Sequence, residues 1–132
     1  MIFVDSSGFV SLVSHGDEFY KDAVMWWRLN EKKVNLLISN LVVMETLGWV
    51  RHHLGKKRAV ELGDYILSGE GVGIERVTRS DETKAWDLFV KVDGRGVSMV
   101  DCTSVILMKR LGVERIFSFD QDFSDLGFQV VP

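Results

Sequence analysis

The sequence predicts an α/β fold: a mostly parallel central sheet of four to five strands with helices on both faces. Three observations carry that expectation. Short β-prone runs alternate with longer stretches of helical periodicity, the order that joins parallel strands through helical crossovers. The first strand run is apolar throughout rather than alternating, as in a strand covered on both sides. The chain has 132 residues, 46% hydrophobic and 27% charged, with one proline. That is the size and composition of a single folded domain over residues 1–132, not of a disordered or repetitive chain.

The first strand is Ile2, Phe3 and Val4, stopped by Asp5-Ser6-Ser7. Ser6 or Ser7 is placed to cap a helix from Gly8 to Val13. Residues 17–30 carry Phe19, Tyr20, Ala23, Val24, Trp26 and Trp27 at helical spacings. The second strand, Asn35 to Ile38, ends at the capping pair Ser39-Asn40, and a helix follows over Leu41 to Val50. Gly55 separates it from a helix over Lys56 to Leu67. Gly69, Gly71 and Gly73 mark a turn into the third strand, Ile74 to Val77. Ser80 to Val92 reads as a helix with Ser80 at the N-cap and Thr83 at N3. After the loop Asp93-Gly94-Arg95-Gly96, Ser98 caps a helix from Met99 to Leu111, which Gly112 ends. Arg115 to Phe119 is the fourth strand, Asp120 to Asp125 a turn or one-turn helix, and Phe128 to Val131 the last strand. No internal repeat or second-domain boundary is visible.

Charge and cysteine usage narrow the function classes. Sixteen basic against 19 acidic residues give a net charge of −3 and a pI near 5.6, which argues against a broad cationic face that coats nucleic acid. The lone Cys102 has no intramolecular disulfide partner, and a reducing cytoplasm fits best. No segment reaches the roughly 18 apolar residues of a membrane span. The apolar N-terminal stretch starts without a basic region and is interrupted by Asp5, a poor match to a signal peptide. The expectation is a soluble cytoplasmic protein with no membrane association.

The informative feature is where the acids fall. Asp5 follows the first strand and Asp120 the fourth, and side chains just past the carboxyl ends of parallel strands converge on one crevice. Glu45 lies in the helix after the second strand, among Val42, Val43, Met44 and Leu47. Asp101 lies in the first turn of the helix before the fourth strand, between Val100 and Cys102. Each acid alone has an ordinary reading as a turn residue, cap or solvated position. Four such acids at one sheet edge need another, because unpaired buried charge is costly. Converging carboxylates without His or Cys partners are hard oxygen ligands, suited to Mg²⁺ or Mn²⁺. The chemistry that follows is metal-assisted phosphoryl transfer.

With these residues placed, the chain resembles the PIN-domain proteins, and among them the VapC-type ribonuclease toxins of toxin–antitoxin pairs. The resemblance runs through IFVDSSGFVSL, ISNLVVMETL, SMVDCTSVILMKRLGVERIFSFDQDF and the closing GFQVV. It implies an acidic quartet of Asp5, Glu45, Asp101 and Asp120 that binds Mg²⁺ or Mn²⁺ and hydrolyses RNA. Asp122 is a less favoured fifth ligand. Ser6, Ser39 and Ser118 match the family's small hydroxyl residues, with a role in positioning water or phosphate, or else plain capping. The resemblance further implies a homodimer and an antitoxin partner bound in a hydrophobic groove.

Setting aside the four acids leaves 16 basic against 15 acidic residues, so RNA would be held by a local patch. Arg51, Lys56, Lys57 and Arg58 are the candidates, with dipole-complementing helix ends as the other reading. His52 and His53 diverge by about 100° on a helix and do not share an ion. Trp26, Trp27, Trp49 and Trp86 are candidate partner anchors, with Trp86 and one of the first pair better read as core.

Other α/β classes fit worse. A haloacid-dehalogenase-like phosphatase would place a second Asp where Ser7 stands, and a receiver domain an acceptor Asp near Val77-Thr78-Arg79. The competing readings are a non-catalytic PIN domain that binds RNA or protein, and a PIN nuclease in RNA processing.

Overall fold

Three apolar runs become the middle of the sheet. β1 (Ile2–Val4) lies between β2 (Leu36–Ser39) and β4 (Arg115–Phe117), with β3 (Gly73–Glu75) and β5 (Gln129–Val131) at the edges. All four pairings are parallel, in the order β3-β2-β1-β4-β5. The computed structural model describes all residues, Met1–Pro132. The chain builds outward from β1 to β3, then crosses back to lay β4 on the other side of β1. The order therefore reverses between β1 and β4, and the crevice outside their carboxyl ends is where such sheets bind ligands.

Seven helices cover the sheet: α1 (Ser6–Val13), α2 (Tyr20–Asn30), α3 (Asn40–Leu54), α4 (Lys56–Ser68), α5 (Arg79–Lys91), α6 (Met99–Leu111) and α7 (Asp122–Asp125). None is long and apolar enough to cross a membrane. Ile2, Phe3, Phe9, Ile38, Ile116 and Phe117 are among the buried side chains of the main core. Gly8 lets α1 lie against β4: a Cβ there would stand 2.6 Å from the Phe117 ring and 2.8 Å from its carbonyl oxygen.

Several boundaries differ from the sequence expectation, each for a local reason. α1 is capped by Asp5, not by Ser6 or Ser7; the Asp5 side chain accepts the Ser7 N–H at 3.3 Å. α2 starts only at Tyr20, because Asp17 Oδ1 accepts from Phe19 N and Ser11 Oγ and holds a turn. α5 begins at Arg79 under a reciprocal box between Thr78 and Asp81, not at Ser80 with Thr83. Arg110 closes this box, reaching Asp81 through Nε and Nη2 at 3.0 and 2.9 Å. β3 stops at Glu75, and the Val77 N–H turns to Asn40 Oδ1 at 2.9 Å. β4 stops at Phe117, so Asp120 stands three residues past the strand and Ser118 takes the position directly after it.

The tryptophans follow the expectation in part: Trp27 of the first pair is core. Trp26 and Trp27 both reach Phe117, the first stacked at 4.5 Å and the second tilted at 5.7 Å. A single buried ring thus anchors two neighbours that one helix face could not bury. Trp86 is not core: it is 57% exposed and stacks on Phe89. Ala85, the residue before it, is the one that turns inward.

Candidate active site

The carboxyl ends of β1 and β4 are tied together before any acid is considered. The Asp5 N–H donates to Phe117 O at 3.1 Å, which continues the ladder one residue past β1. That bond sets the Asp5 side chain beside Ser118. Asp5 is buried, 3% exposed. Its Oδ2 accepts from Ser7 Oγ at 2.7 Å and from Ser118 Oγ at 3.1 Å. Its Oδ1 is equally enclosed and has no partner. Burial pushes the Asp5 pKa up, against the hydrogen bonds from Ser7 and Ser118.

Asp101 arrives from α6. Ser98 Oγ accepts the Asp101 N–H at 3.0 Å, and Asp101 Oδ2 accepts the Ser98 N–H at 2.8 Å, a capping box with both halves made. The ordinary capping role is real, yet it uses only one carboxylate oxygen. Asp101 is buried, and its pKa is pushed up to about 6, first by burial and then by the charges of Asp5 and Asp120. The Ser98 bonds only partly offset this.

Glu45 stands on α3, and its head remains open to solvent. Partial desolvation raises its pKa, the Ser6 hydroxyl opposes this, and the Asp5 charge adds to it. Asp120 is half-buried, and its Oδ1 accepts the Asp122 N–H at 2.9 Å while its own N–H donates to Ser118 Oγ at 3.0 Å. Asp122 feels Asp120 first of all, which lifts its pKa. It begins α7 and faces Gly96, where a Cβ would stand 2.8 Å from Oδ2.

The four predicted acids lie near the β1–β4 reversal and are linked pairwise by their charges. Asp5 acts on Glu45 and Asp101, and Asp120 acts on Asp101. They do not close on a single point: no three acidic, His or Cys side chains are grouped as a ready metal cage. The donor set nevertheless suits a hard divalent cation. Every candidate ligand is a carboxylate oxygen, and one, Asp5 Oδ1, is buried without a donor. The histidines are elsewhere, His15 beyond the end of α1 and His52 and His53 in the last turn of α3.

The serines divide. Ser39 is fully buried as the N-cap of α3, with Oγ accepting Val42 N–H at 3.1 Å; the capping role accounts for it. Ser118 touches Asp5 and the Asp120 backbone, so it holds the acids rather than facing the crevice. Ser6 lies beside Glu45. Ser7 was not among the residues the sequence singled out for the site. The signal was its place in the Asp5-Ser6-Ser7 strand end, where it was read as a cap.

The basic cluster lies away from the acids. From its N-cap Asp5, α1 runs to Val13, about 12 Å along its axis. There Arg58 Nη1 donates to Val13 O. Arg58 thus joins α4 to α1 through one of its guanidinium nitrogens. Lys56 and Lys57 are exposed at the same end, and Arg51 lies in the last turn of α3.

A parallel sheet of this order, with acids near its reversal, fits a class of nucleases, and the comparisons agree. The PIN-domain family profile matches residues 2–129, and the chain belongs to that family. It is 36% identical over 128 residues to the 23S rRNA-specific endonuclease VapC20 of Mycobacterium tuberculosis, covering 97% of this chain and 95% of that protein. The crystal structure of that VapC20, described as a sarcin–ricin loop cleaving toxin, superposes with a TM-score of 0.89 at 34% identity, covering 97% of this chain and 96% of that one. FitAcB from Neisseria gonorrhoeae shares the fold, with a TM-score of 0.68 at 14% identity over 100% of this chain and 97% of the other.

Proposed function

We propose that this protein is a Mg²⁺- or Mn²⁺-dependent endoribonuclease, the toxin of a type II toxin–antitoxin pair, with Asp5, Glu45, Asp101 and Asp120 as its catalytic metal ligands. The observation that carries this reading is Asp5 Oδ1, a buried carboxylate oxygen without a donor, at the sheet reversal and within the fields of Glu45 and Asp101. Asp5 presents Oδ1 to the ion. Asp101 adds the oxygen its capping box does not use, and Asp120 the oxygen not bound to Asp122 N–H. Glu45 closes the solvent side. A divalent cation held there supplies Lewis-acid chemistry at a phosphodiester. Without it the carboxylates repel, and burial raises three of them toward protonation.

The similarity to a 23S rRNA-specific endonuclease at 36% identity supports a structured rRNA loop as substrate class. A cleft of about 640 Å³ between α1, α2 and α4, floored by Phe9, Leu12, Trp27 and Leu62 and flanked by Arg58 and Glu61, supports an antitoxin segment as partner. Exposed apolar side chains on α2 (Met25, Leu29) and α5 (Trp86, Val90) support a homodimer. The free, buried Cys102 supports a cytoplasmic setting.

The test compares wild type with Asp5→Asn and Asp101→Asn on a sarcin–ricin loop RNA and on single-stranded RNA. Each is assayed with Mg²⁺, with Mn²⁺ and with EDTA. Metal-dependent cleavage lost in both variants is the expected result. Cleavage that persists in EDTA, or is unchanged in both variants, defeats the assignment and leaves a binding module.

A further inference from the structure

Ser7 and Ser118 form a two-stranded link between β1 and β4 at the candidate site. Phe119 N–H donates to Ser7 Oγ at 3.0 Å, and Ser7 Oγ donates to Asp5 Oδ2 at 2.7 Å. In parallel, Asp120 N–H donates to Ser118 Oγ at 3.0 Å, and Ser118 Oγ donates to Asp5 Oδ2 at 3.1 Å. Each hydroxyl has one proton to give. With each lone proton directed at Asp5, the 3.0 Å approach of the two hydroxyls to each other leaves neither unsatisfied. The hydrogen bonds made to the Asp5 side chain then fall on Oδ2, from two hydroxyls and the Ser7 N–H, with the Ser6 N–H exerting a weaker pull on the carboxylate. None falls on the enclosed Oδ1. Such one-sided bonding fixes the carboxylate plane and leaves a chosen oxygen bare.

We infer that Ser7 is a positioning residue of the metal site: its hydroxyl orients Asp5 so that Oδ1 faces the cation, and in the same stroke pins the Phe119–Asp120 segment that carries another ligand. This rests on the nuclease reading above and assigns Ser7 a role in it. Of the two serines, Ser7 makes the shorter bond to Asp5, and its acceptor side holds the chain just before Asp120. A cap alone would need only the Asp5 contact with Ser7 N–H. Outer-shell partners of metal ligands typically change affinity by about 10–100-fold when removed.

The experiment uses the full chain as wild type, Ser7→Ala, Ser7→Thr and Thr78→Ala, the last removing a helix cap in α5. Mn²⁺ is titrated into each and Tm is recorded; cleavage of the RNA is measured separately. Ser7→Ala is expected to fold, to need about tenfold more Mn²⁺ for half its stabilisation, and to lose about tenfold or more in kcat while KM for RNA stays within about twofold. Ser7→Thr restores the Mn²⁺ midpoint. Thr78→Ala lowers Tm without moving that midpoint. A wild-type midpoint and kcat in Ser7→Ala, beside a wild type that binds Mn²⁺ and cleaves, would overturn the inference alone. A wild type that neither gains stability from Mn²⁺ nor cleaves overturns the nuclease reading, and this inference with it.

Discussion

Replacing Asp101 with Asn should make the metal-free protein more stable while it abolishes cleavage. The magnitude follows from the raised pKa. Burial and the charges of Asp5 and Asp120 lift Asp101 from 3.8 to about 6, and each unit is worth about 1.4 kcal/mol. The full shift corresponds to about 3 kcal/mol, and discounting for partial solvent screening gives about 1–3 kcal/mol. The sign is set by linkage. Below about pH 3.8 the carboxyl is protonated in folded and unfolded chains alike, and the charge costs nothing. Between about pH 4 and 6 the unfolded chain ionises first, so folding loses stability. Above about pH 6 the penalty is complete. Asn keeps an oxygen for the Ser98 N–H, so the cap survives. Urea denaturation of both proteins in EDTA at pH 4, 6 and 8 tests this. The gap should be near zero at pH 4 and about 1–3 kcal/mol in favour of the variant at pH 8, with Tm higher by roughly 4–10 °C. Excess Mn²⁺ should narrow or reverse the gap, because only the wild type keeps the ligand. A variant no more stable than wild type at pH 8 would refute the electrostatic account of the crevice.

Three further outcomes are expected. Gly8→Ala should cost about 1–3 kcal/mol in urea denaturation, because the added methyl meets both the ring and the backbone carbonyl of Phe117, and it should weaken Mn²⁺ stabilisation by shifting Asp5 with α1. Asp81→Ala removes both a capping box and the partner of Arg110; it should destabilise by about 2–3 kcal/mol yet leave the Mn²⁺ midpoint unmoved in a thermal-shift titration. Lys56→Ala with Lys57→Ala, at the end of the helices remote from the acids, should change kcat less than about twofold, any effect appearing in KM and its salt dependence; a large fall in kcat would place the RNA otherwise.

The middle of the sheet was legible because β1, β2 and β4 carry largely buried apolar residues, Ile2–Val4, Leu36–Ile38 and Ile116–Phe117, that survive any choice of neighbours. Asp5 and Asp101 stood out for the opposite reason, as charges in places where charge is expensive. The Ser98–Asp101 box was half visible, since Ser98 announced the cap and Asp101 the anomaly. What local pattern could not show was pairing across the chain. Ser7 meets Ser118 across 111 positions, and nothing beside either residue signals it. The contact of Arg58 with Val13 O spans 45 positions and is equally silent in the sequence. Trp86 looked like core on a helical stripe, but the small Ala85 is what packs against Cys102 and Val97.

The reversal between β1 and β4 has a consequence in time as well as space. Asp5 is made well before the strand that flanks it and the serine that bonds it, which come from positions 115–118. Strands β1, β2 and β3 and most helices can be complete while Asp5 still faces an empty flank. The crevice is finished only when the last fifth of the chain is laid down. A ribosome that stalls or aborts before that point releases a fragment with Asp5 and Glu45 but without Ser118 and Asp120. A fragment of that kind lacks the flank against which Asp5 is buried.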